Sequence, residues 1–369
     1  MTAGDALYEA VLAAPADDLP RLVYADWLEE HGDPDRAAFV RLQIDLANLS
    51  ATDPRRPALR HREKELLDRY RSRWSIPHLR GSQGFARGFV EELWATPFDV
   101  TTHADALLRV PLRSLRLTAV ETVDSLVGLP FLSKIETLDL SNNVGIHHRF
   151  DRLFYNGGLR NLTSLVLRNV RVWGEDLPRW PMIPTFPKLT RLDLSGNPVG
   201  DDGLDVLIDH PGFGSIASLT LRGDEQVFEV CVHGHGVQRL AQSERLGQLC
   251  HLDLASQYAG DAGLADLARS HSVGRLVTLD LSDNDIGEIG DSGVEALADS
   301  ERFVSLKELS LRENRLGPVG AVALARWDQL QSLDRVDLTR CELSEFARDE
   351  LSNSYWAEKF ILDEPVVYA

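Results

Sequence analysis

Cysteine is scarce in this sequence, with three residues among 369, at Cys231, Cys250 and Cys341. An odd number without a framework spacing argues against a disulfide-stapled scaffold and indicates a reducing compartment. The first residues lack the basic start and apolar segment of a signal peptide, and no apolar run approaches membrane-spanning length. The sequence therefore predicts a cytoplasmic protein that makes no membrane contact.

Motifs that mark enzymes are also missing. The sequence has no GxxxxGK[ST] phosphate loop, no G-x-S-x-G elbow and no His-Glu-x-x-His helix. Residues of the metal-ligand type do occur in Cys231-x-His233-x-His235, but zinc needs three or four converging ligands and none of the usual spacings is present. We therefore expect no metal, no cofactor and no catalysis. A metal-dependent hydrolase that uses His233 and His235 ranks last among the alternatives.

Basic side chains are outnumbered by acidic ones, 39 to 57, which gives a net charge of −18. The first 80 residues carry 12 basic and 14 acidic side chains, so −16 of the charge lies after them. An acidic surface binds nucleic acid and anionic membranes poorly, and we expect neither as a partner. It suits a basic or mixed protein surface, although the same charge also simply keeps a protein in solution.

What the sequence does contain is a repeat. The stretch Leu276-Val-Thr-Leu-Asp-Leu-Ser-Asp-Asn284 follows the pattern LxxLxLxxN. Its alternating leucines give a strand one apolar face and one polar face, and Asn284 can bond backbone groups where the chain must turn. About nine copies, spaced 23 to 33 residues apart, begin at Leu112, Ile135, Leu162, Leu189, Ile216, Leu249, Leu276, Leu306 and Leu333.

Several copies continue into a glycine-rich turn and an amphipathic segment, as in Gly260-Asp-Ala-Gly-Leu-Ala-Asp-Leu267. Each unit is therefore a strand, a turn and a helix, and stacked units give a parallel sheet inside a curve with helices outside it. The repeats resemble the ribonuclease-inhibitor type of leucine-rich repeat across about residues 85–345. The predicted fold class is α/β: a horseshoe-shaped leucine-rich repeat solenoid with a small all-α domain at its N-terminus.

The first 80 residues predict helices. The run Leu19-Pro-Arg-Leu-Val-Tyr-Ala-Asp-Trp-Leu-Glu-Glu-His-Gly-Asp33, followed by Ala38-Phe-Val-Arg-Leu-Gln43, resembles the bacterial repeat-companion domain. That resemblance implies a short helical unit ahead of a repeat array and no assigned chemistry. Residues 55–80 hold nine Arg or Lys against three acids. Such a helix can bind nucleic acid, but the favoured interpretation is electrostatic docking beside the acidic repeats.

Both ends of the array depart from the repeat pattern, as expected for units that cover an open core. Residues 81–94 predict a capping strand, and Lys359-Phe-Ile-Leu362 predicts a final one. The predicted domains are thus residues 1–80 (helical companion domain and basic helix), 81–345 (solenoid) and 346–369 (C-terminal cap).

Two interior repeats also depart from the pattern. The third has four prolines within residues 178–187, which exclude a regular helix, and the fifth is six residues longer than 27. Loops inserted at this junction project near a rim of the concave face, where repeat proteins often bind partners. The predicted partner contacts in these loops are Trp173, Trp180, Phe228, His233 and His235.

The concave face is the main candidate site. In each strand the residues flanking the core leucines point into the curve, and over 27 such positions we count six acids and six arginines. The surface is charged and mixed in sign, which suits a polar protein partner. The predicted contacts on this face are Asp139, Arg168, Arg191, Asp193, Arg222, His251, Asp253, Asp280, Arg312 and Asp337.

These observations favour a non-catalytic scaffold that binds a protein partner through the concave face and the inserted loops. The alternative is a regulator of an enzyme, either an inhibitor or a GTPase activator, because repeats of this type occur in both. A GTPase activator usually delivers an arginine or asparagine to the nucleotide. Arg168, Arg222 and Arg312 are available for that role, but nothing in the sequence selects one.

Overall fold

A computed structural model describes residues 2–146, 150–156, 158–179, 186–223, 230–287 and 291–363. The chain forms two compact units. The first consists of Met1–Asp139 with Asn156–Asn161, and the second of Leu140–Tyr155 with Leu162–Ala369.

The first unit begins with four helices: α1 Ala3–Ala13, α2 Asp18–Glu30, α3 Pro34–Asn48 and α4 Arg56–Trp74. The starts of α1, α2 and α3 follow from side-chain caps. Thr2 forms a capping box with Asp5, and Asp17 and Asp33 accept backbone N–H groups at the starts of α2 and α3. The predicted helical region is confirmed.

The basic helix α4 is paired within the same unit. Arg60 contacts Glu63 at 2.7 Å, and Arg73 contacts Asp33 at 3.0 Å. Arg71 donates to the carbonyl of Gln83 at 2.9 Å. Arg60 and Arg73 are therefore partly neutralised by carboxylates of their own unit, and docking of this helix beside the acidic repeats remains a prediction.

The predicted capping strand is a hairpin. Strands β1 Ser82–Ala86 and β2 Phe89–Ala95 pair antiparallel. Arg87 and Gly88 join them with φ values of 47° and 90°, the twist that matches a two-residue hairpin turn. The sequence pattern predicts one strand because the Arg-Gly turn lies inside a continuous apolar pattern. The first unit continues with α5 Pro97–Thr102, α6 Ala104–Leu108, β3 Ser114–Leu117 and β4 Thr137–Asp139.

The helices of the first unit pack on this hairpin. Phe89 of β2 joins Val11, Ala25, Leu28 and Val40 of the helices in one buried cluster. The predicted domain boundary at residue 80 remains a prediction, while the contacts within this unit extend to Asp139.

The second unit carries the remaining repeats. Its helices and strands are α7 Phe150–Asn156, β5 Ser164–Val166, β6 Arg191–Asp193, α8 Gly200–Asp209, β7 Ser218–Thr220, α9 Gly234–Gln242, β8 His251–Asp253, α10 Gly260–Arg269, β9 Thr278–Asp280, α11 Ser292–Ala298, β10 Glu308–Ser310, α12 Pro318–Ala325, β11 Arg335–Asp337, α13 Glu345–Ser352 and β12 Phe360–Ile361. Short 3-10 helices complete the connections, at Val123–Leu126 and Pro130–Lys134 in the first unit and at Gly174–Arg179, Pro211–Ser215, Glu244–Gln248, Val273–Arg275, Asp328–Gln331 and Ala357–Lys359 in the second.

Strands β5 to β12 pair parallel and in register, so that the core leucines stack: Leu219 lies beside Leu252, then Leu279, then Leu309. The predicted α/β leucine-rich repeat fold is confirmed, and so is the final strand, which is β12. The proline-rich third repeat forms a 3-10 helix at Gly174–Arg179 after β5, as its prolines required. The repeat after β3 likewise forms two 3-10 helices, which the sequence pattern does not single out.

The ninth position of the LxxLxLxxN pattern, called the turn column below, forms side-chain bonds to the backbone as predicted. Asn197 accepts the backbone N–H groups of Val170 and Val172 and donates to the carbonyls of Leu167 and Leu194. One buried amide therefore satisfies backbone groups of two successive repeats.

A second ladder lies at the helix starts. Asp261 of α10 accepts the N–H groups of Gly287 and Gly293, each at 2.9 Å, and Asp291 accepts those of Gly317 and Gly320 at 2.8 and 2.7 Å. Each aspartate thus satisfies two backbone N–H groups of the next repeat, at least one of them at the start of its helix. A Cβ at residue 293 would lie 2.8 Å from the Cα of Asp261. Gly293 therefore leaves room for Asp261 of the preceding repeat. Asp291, in the same Gly-Asp-x-Gly motif, bonds the following repeat.

We expect Asp291→Ala to lower the free energy of unfolding by about 1–3 kcal/mol, because it removes a side-chain cap and leaves two N–H groups without their acceptors. Chemical unfolding measures this loss. Asp299→Ala is the matched control, since Asp299 is exposed at the end of α11 and its side chain caps nothing there. Equal losses in the two variants would contradict the ladder.

Candidate functional site

The solvent-facing side of strands β6 to β11, which carries the predicted face residues, lines a groove with a volume of about 900 Å³. Strand alternation buries the leucines and leaves the residues between them facing the groove. The structure brings seven of the ten predicted face residues into this one groove: Arg191, Arg222, His251, Asp253, Asp280, Arg312 and Asp337.

The aspartates of this face share one geometry. Oδ1 of Asp280 accepts the backbone N–H and the hydroxyl of Ser282, at 3.0 and 2.5 Å, and Oδ1 of Asp337 accepts the same two groups of Thr339. Oδ1 of Asp253 accepts the N–H of Ala255. The residue two positions on therefore holds one oxygen of each carboxylate, which leaves the other oxygen for neighbours or a ligand.

Arg222 joins two of these carboxylates. Its guanidinium donates to Oδ2 of Asp253 at 3.2 Å and to Oδ2 of Asp280 at 2.8 Å. Burial raises the pKa of Asp253, and the neighbouring charge of Asp280 raises it further, while Arg222 opposes both effects. The centre of the groove is thus a pair of carboxylates that share one arginine.

The part of the groove at β10 and β11 has the opposite balance of charge. Arg312 and Arg340 both donate to Oε1 of Glu313, at 2.8 and 2.7 Å. Arg335 donates to Glu308 at 2.8 Å, which makes a separate neutral pair. The groove therefore contains a second group in which two arginines share one carboxylate.

Glu313 and Arg340 belong to a column that sequence reasoning missed. Each immediately precedes the turn residue of its repeat and has a φ of 59°, as Ser256 and Asp283 do at 54°. This left-handed conformation places the side chain at the rim of the groove. The sequence could have identified this column by its position just before the turn Asn. Leucine spacing alone, however, does not predict the φ values of these residues.

Three predicted face residues lie elsewhere. Asp139 contacts Arg116 at 3.4 Å in the first unit. Arg168 contacts Asp193 at 2.6 Å, and the Asp193 side chain is fully buried. The prediction that Asp193 contacts a partner directly is therefore wrong: its carboxylate holds Ser195 and Arg168 and has no surface to offer.

The predicted loop residues are placed only in part. Trp173 is 41% exposed, as an anchor requires. Trp180 and Phe228 lie outside the described residues, and their roles remain predictions.

His233 and His235 are exposed, whereas Cys231 is buried. His233 stacks on Tyr258, with ring centroids 5.6 Å apart, and its backbone N–H donates to Asp201. Cys231 is buried, and burial raises the pKa of its thiol. Within the part of the chain that the structure describes, no three His, Cys, Asp or Glu side chains group as metal ligands.

This geometry does not support the alternative in which the chain activates a GTPase by delivering an arginine to the nucleotide. Arg168, Arg222 and Arg312 each donate to a carboxylate of their own chain, so none is singled out as a free cation.

Three segments, residues 187–207, 276–298 and 304–325, match the family model described as Leucine Rich repeat. Among solved structures, an internalin from Listeria monocytogenes is 16% identical over 73% of this chain and 71% of its own, with a TM-score of 0.44. A protein from Bacteroides fragilis is 13% identical over 74% of this chain, which spans 65% of that protein, with a TM-score of 0.31. No curated protein matches the chain. Among the described residues, no helix is both long and apolar enough to span a membrane.

Proposed function

We propose that this chain is a non-catalytic scaffold that binds a protein partner, because its leucine-rich repeats form a fold that presents extended binding surfaces. The partner lies in the groove over β6 to β11, with Trp173 and the neighbouring loops at its rim. The observation that carries this proposal is the groove itself, whose mixed charges are held in place by bonds to each other and to the backbone.

Preorganised charges suit recognition of a polar surface. Side chains fixed in advance lose less conformational freedom when a partner binds, and complementary charges set its orientation. The repeats would be of the ribonuclease-inhibitor-like type, because helices of seven to ten residues follow the strands from β6 to β11. Helices α1 to α4 support a bacterial repeat-companion domain ahead of them. We also propose a cytoplasmic location.

Charge reversal in the groove tests the scaffold. We expect Asp253→Lys with Asp280→Lys to weaken partner binding at least about tenfold, because the partner would meet three clustered cations where it met a net negative charge. Affinity capture from native lysate, with quantification of each recovered protein, gives the readout.

The control is the double variant Asp202→Lys, Asp299→Lys. It changes the net charge equally at exposed positions on α8 and at the end of α11. The partner should be recovered by the wild type and the control and lost with the groove variant. Recovery of the same proteins at the same level by all three would contradict binding in the groove.

A further inference from the structure

The charges in the groove fall into two groups whose counts are unequal. In the acid-rich group, Asp253 and Asp280 share Arg222. In the arginine-rich group, Arg312 and Arg340 share Glu313. Counted by these contacts, the first group carries one uncompensated negative charge and the second one uncompensated positive charge.

The imbalance has a consequence only when the groove is covered. Arg222 is 46% exposed and Arg312 is 44% exposed, so water solvates both groups in the free protein. A partner that excludes this water must replace the lost solvation, because a buried charge without a counter-charge is costly. The favourable partner brings one cation to the first group and one anion to the second.

The other charges of the groove keep this pattern. Glu308 and Arg335 neutralise each other. Among the described residues, no ion pair is formed by Asp283, whose backbone N–H donates to the carbonyl of Arg312, by Asp337 on β11 or by Arg191 on β6. These three add a surplus of negative charge, so the complementary surface is basic overall and carries an acid at one defined place.

We propose that the partner binds through a polypeptide segment that places a lysine or arginine over Asp253 and Asp280 and an aspartate or glutamate against Arg312 and Arg340. This inference rests on the proposed function and specifies its partner. The two groups centre on β8–β9 and β10–β11, about 10 Å apart across the sheet. Two side chains on one face of a single short segment span that distance, so one segment engages both groups and its direction in the groove is fixed.

Peptide selection with the intact chain tests the partner's chemistry. A displayed library of random 16-residue peptides is selected on the wild-type protein. Recovered peptides are synthesised, and their affinities are measured with wild type, Asp280→Asn and Arg312→Gln. Asparagine keeps an acceptor for Ser282, so the local fold of β9 is retained. Asp202→Asn and Arg302→Gln, at exposed positions outside the groove, serve as charge-matched controls.

We expect the selected peptides to share a basic and an acidic residue at a fixed spacing. Each groove variant should weaken them at least about tenfold, and each control less than about twofold. The pairing is read from double-mutant cycles. Once the peptide's basic residue is changed to glutamine, Asp280→Asn should cause no further loss, and the same should hold for the acidic residue and Arg312→Gln.

Different failures identify which claim is wrong. Peptides that respond to Asp280→Asn but not to Arg312→Gln would overturn the two-charge segment and leave the groove as a binding surface. Peptides that respond to neither variant would overturn the scaffold proposal as well. A labelled 20-nucleotide single-stranded RNA is measured in parallel, and tight RNA binding that Arg312→Gln abolishes would overturn the polypeptide partner.

Discussion

Glu91→Ala is expected to lower the free energy of unfolding by about 3–5 kcal/mol, the largest loss that we expect of any single substitution in this chain. Arg21 on α2 and Glu91 on β2 are both buried and form an ion pair at 2.6 Å. Removal of the carboxylate leaves the guanidinium inside the first unit with only carbonyl partners, those of Pro15 and Arg87 among them. A buried cation without a counter-charge is the cause of the loss.

Chemical unfolding of the intact chain measures this effect, with Glu92→Ala as the control. Glu92 is the next residue of β2 and faces solvent, so its loss should change stability by less than about 0.5 kcal/mol. The double variant Arg21→Met, Glu91→Leu should recover much of the stability, because an apolar pair needs no desolvated charge. Equal losses in Glu91→Ala and Glu92→Ala would refute the role of the ion pair.

This ion pair shows where sequence reasoning stops. The sequence predicted a helical region here, and the structure shows α2 capped by Asp17. On α2 the apolar Val23 is 41% exposed, while the charged Arg21 takes a buried position at helical spacing from Ala25 and Leu28. Its partner lies seventy positions further along the chain, and periodicity within one helix carries no information about it.

The sequence likewise predicts only part of the groove. Alternation along the strands predicted which side chains face it, because the strand period is fixed at two residues. Which charges pair depends on rotamers and on neighbouring strands. Arg222 therefore forms an ion pair with Asp280 on β9, and Asp193 is buried in its ion pair with Arg168. The residue pattern predicts neither contact.

The second large effect is expected at the turn column, where Asn284→Ala should lower the free energy of unfolding by about 3 kcal/mol. Asn284 is fully buried. Its amide donates to the carbonyls of Leu254 and Ser282, at 2.8 and 2.9 Å, and accepts the N–H of Ala259 at 3.1 Å. Alanine leaves these backbone groups buried without partners, and two of them belong to the preceding repeat.

Two comparisons make the expected loss at Asn284 specific. Cys341 occupies the same column but donates through one weak S–H group to Leu311, so Cys341→Ala should cost only about 1 kcal/mol. Asn353→Ala, at an exposed helix end, should cost less than about 0.5 kcal/mol. Hydrogen exchange gives a local readout, because the amide of Ala259 loses its acceptor and should exchange faster in Asn284→Ala alone. Neighbouring repeats in such a fold are stabilised through the contacts between them. Unchanged protection of the Ala259 amide in Asn284→Ala would therefore mean that Asn284 does not join the two repeats.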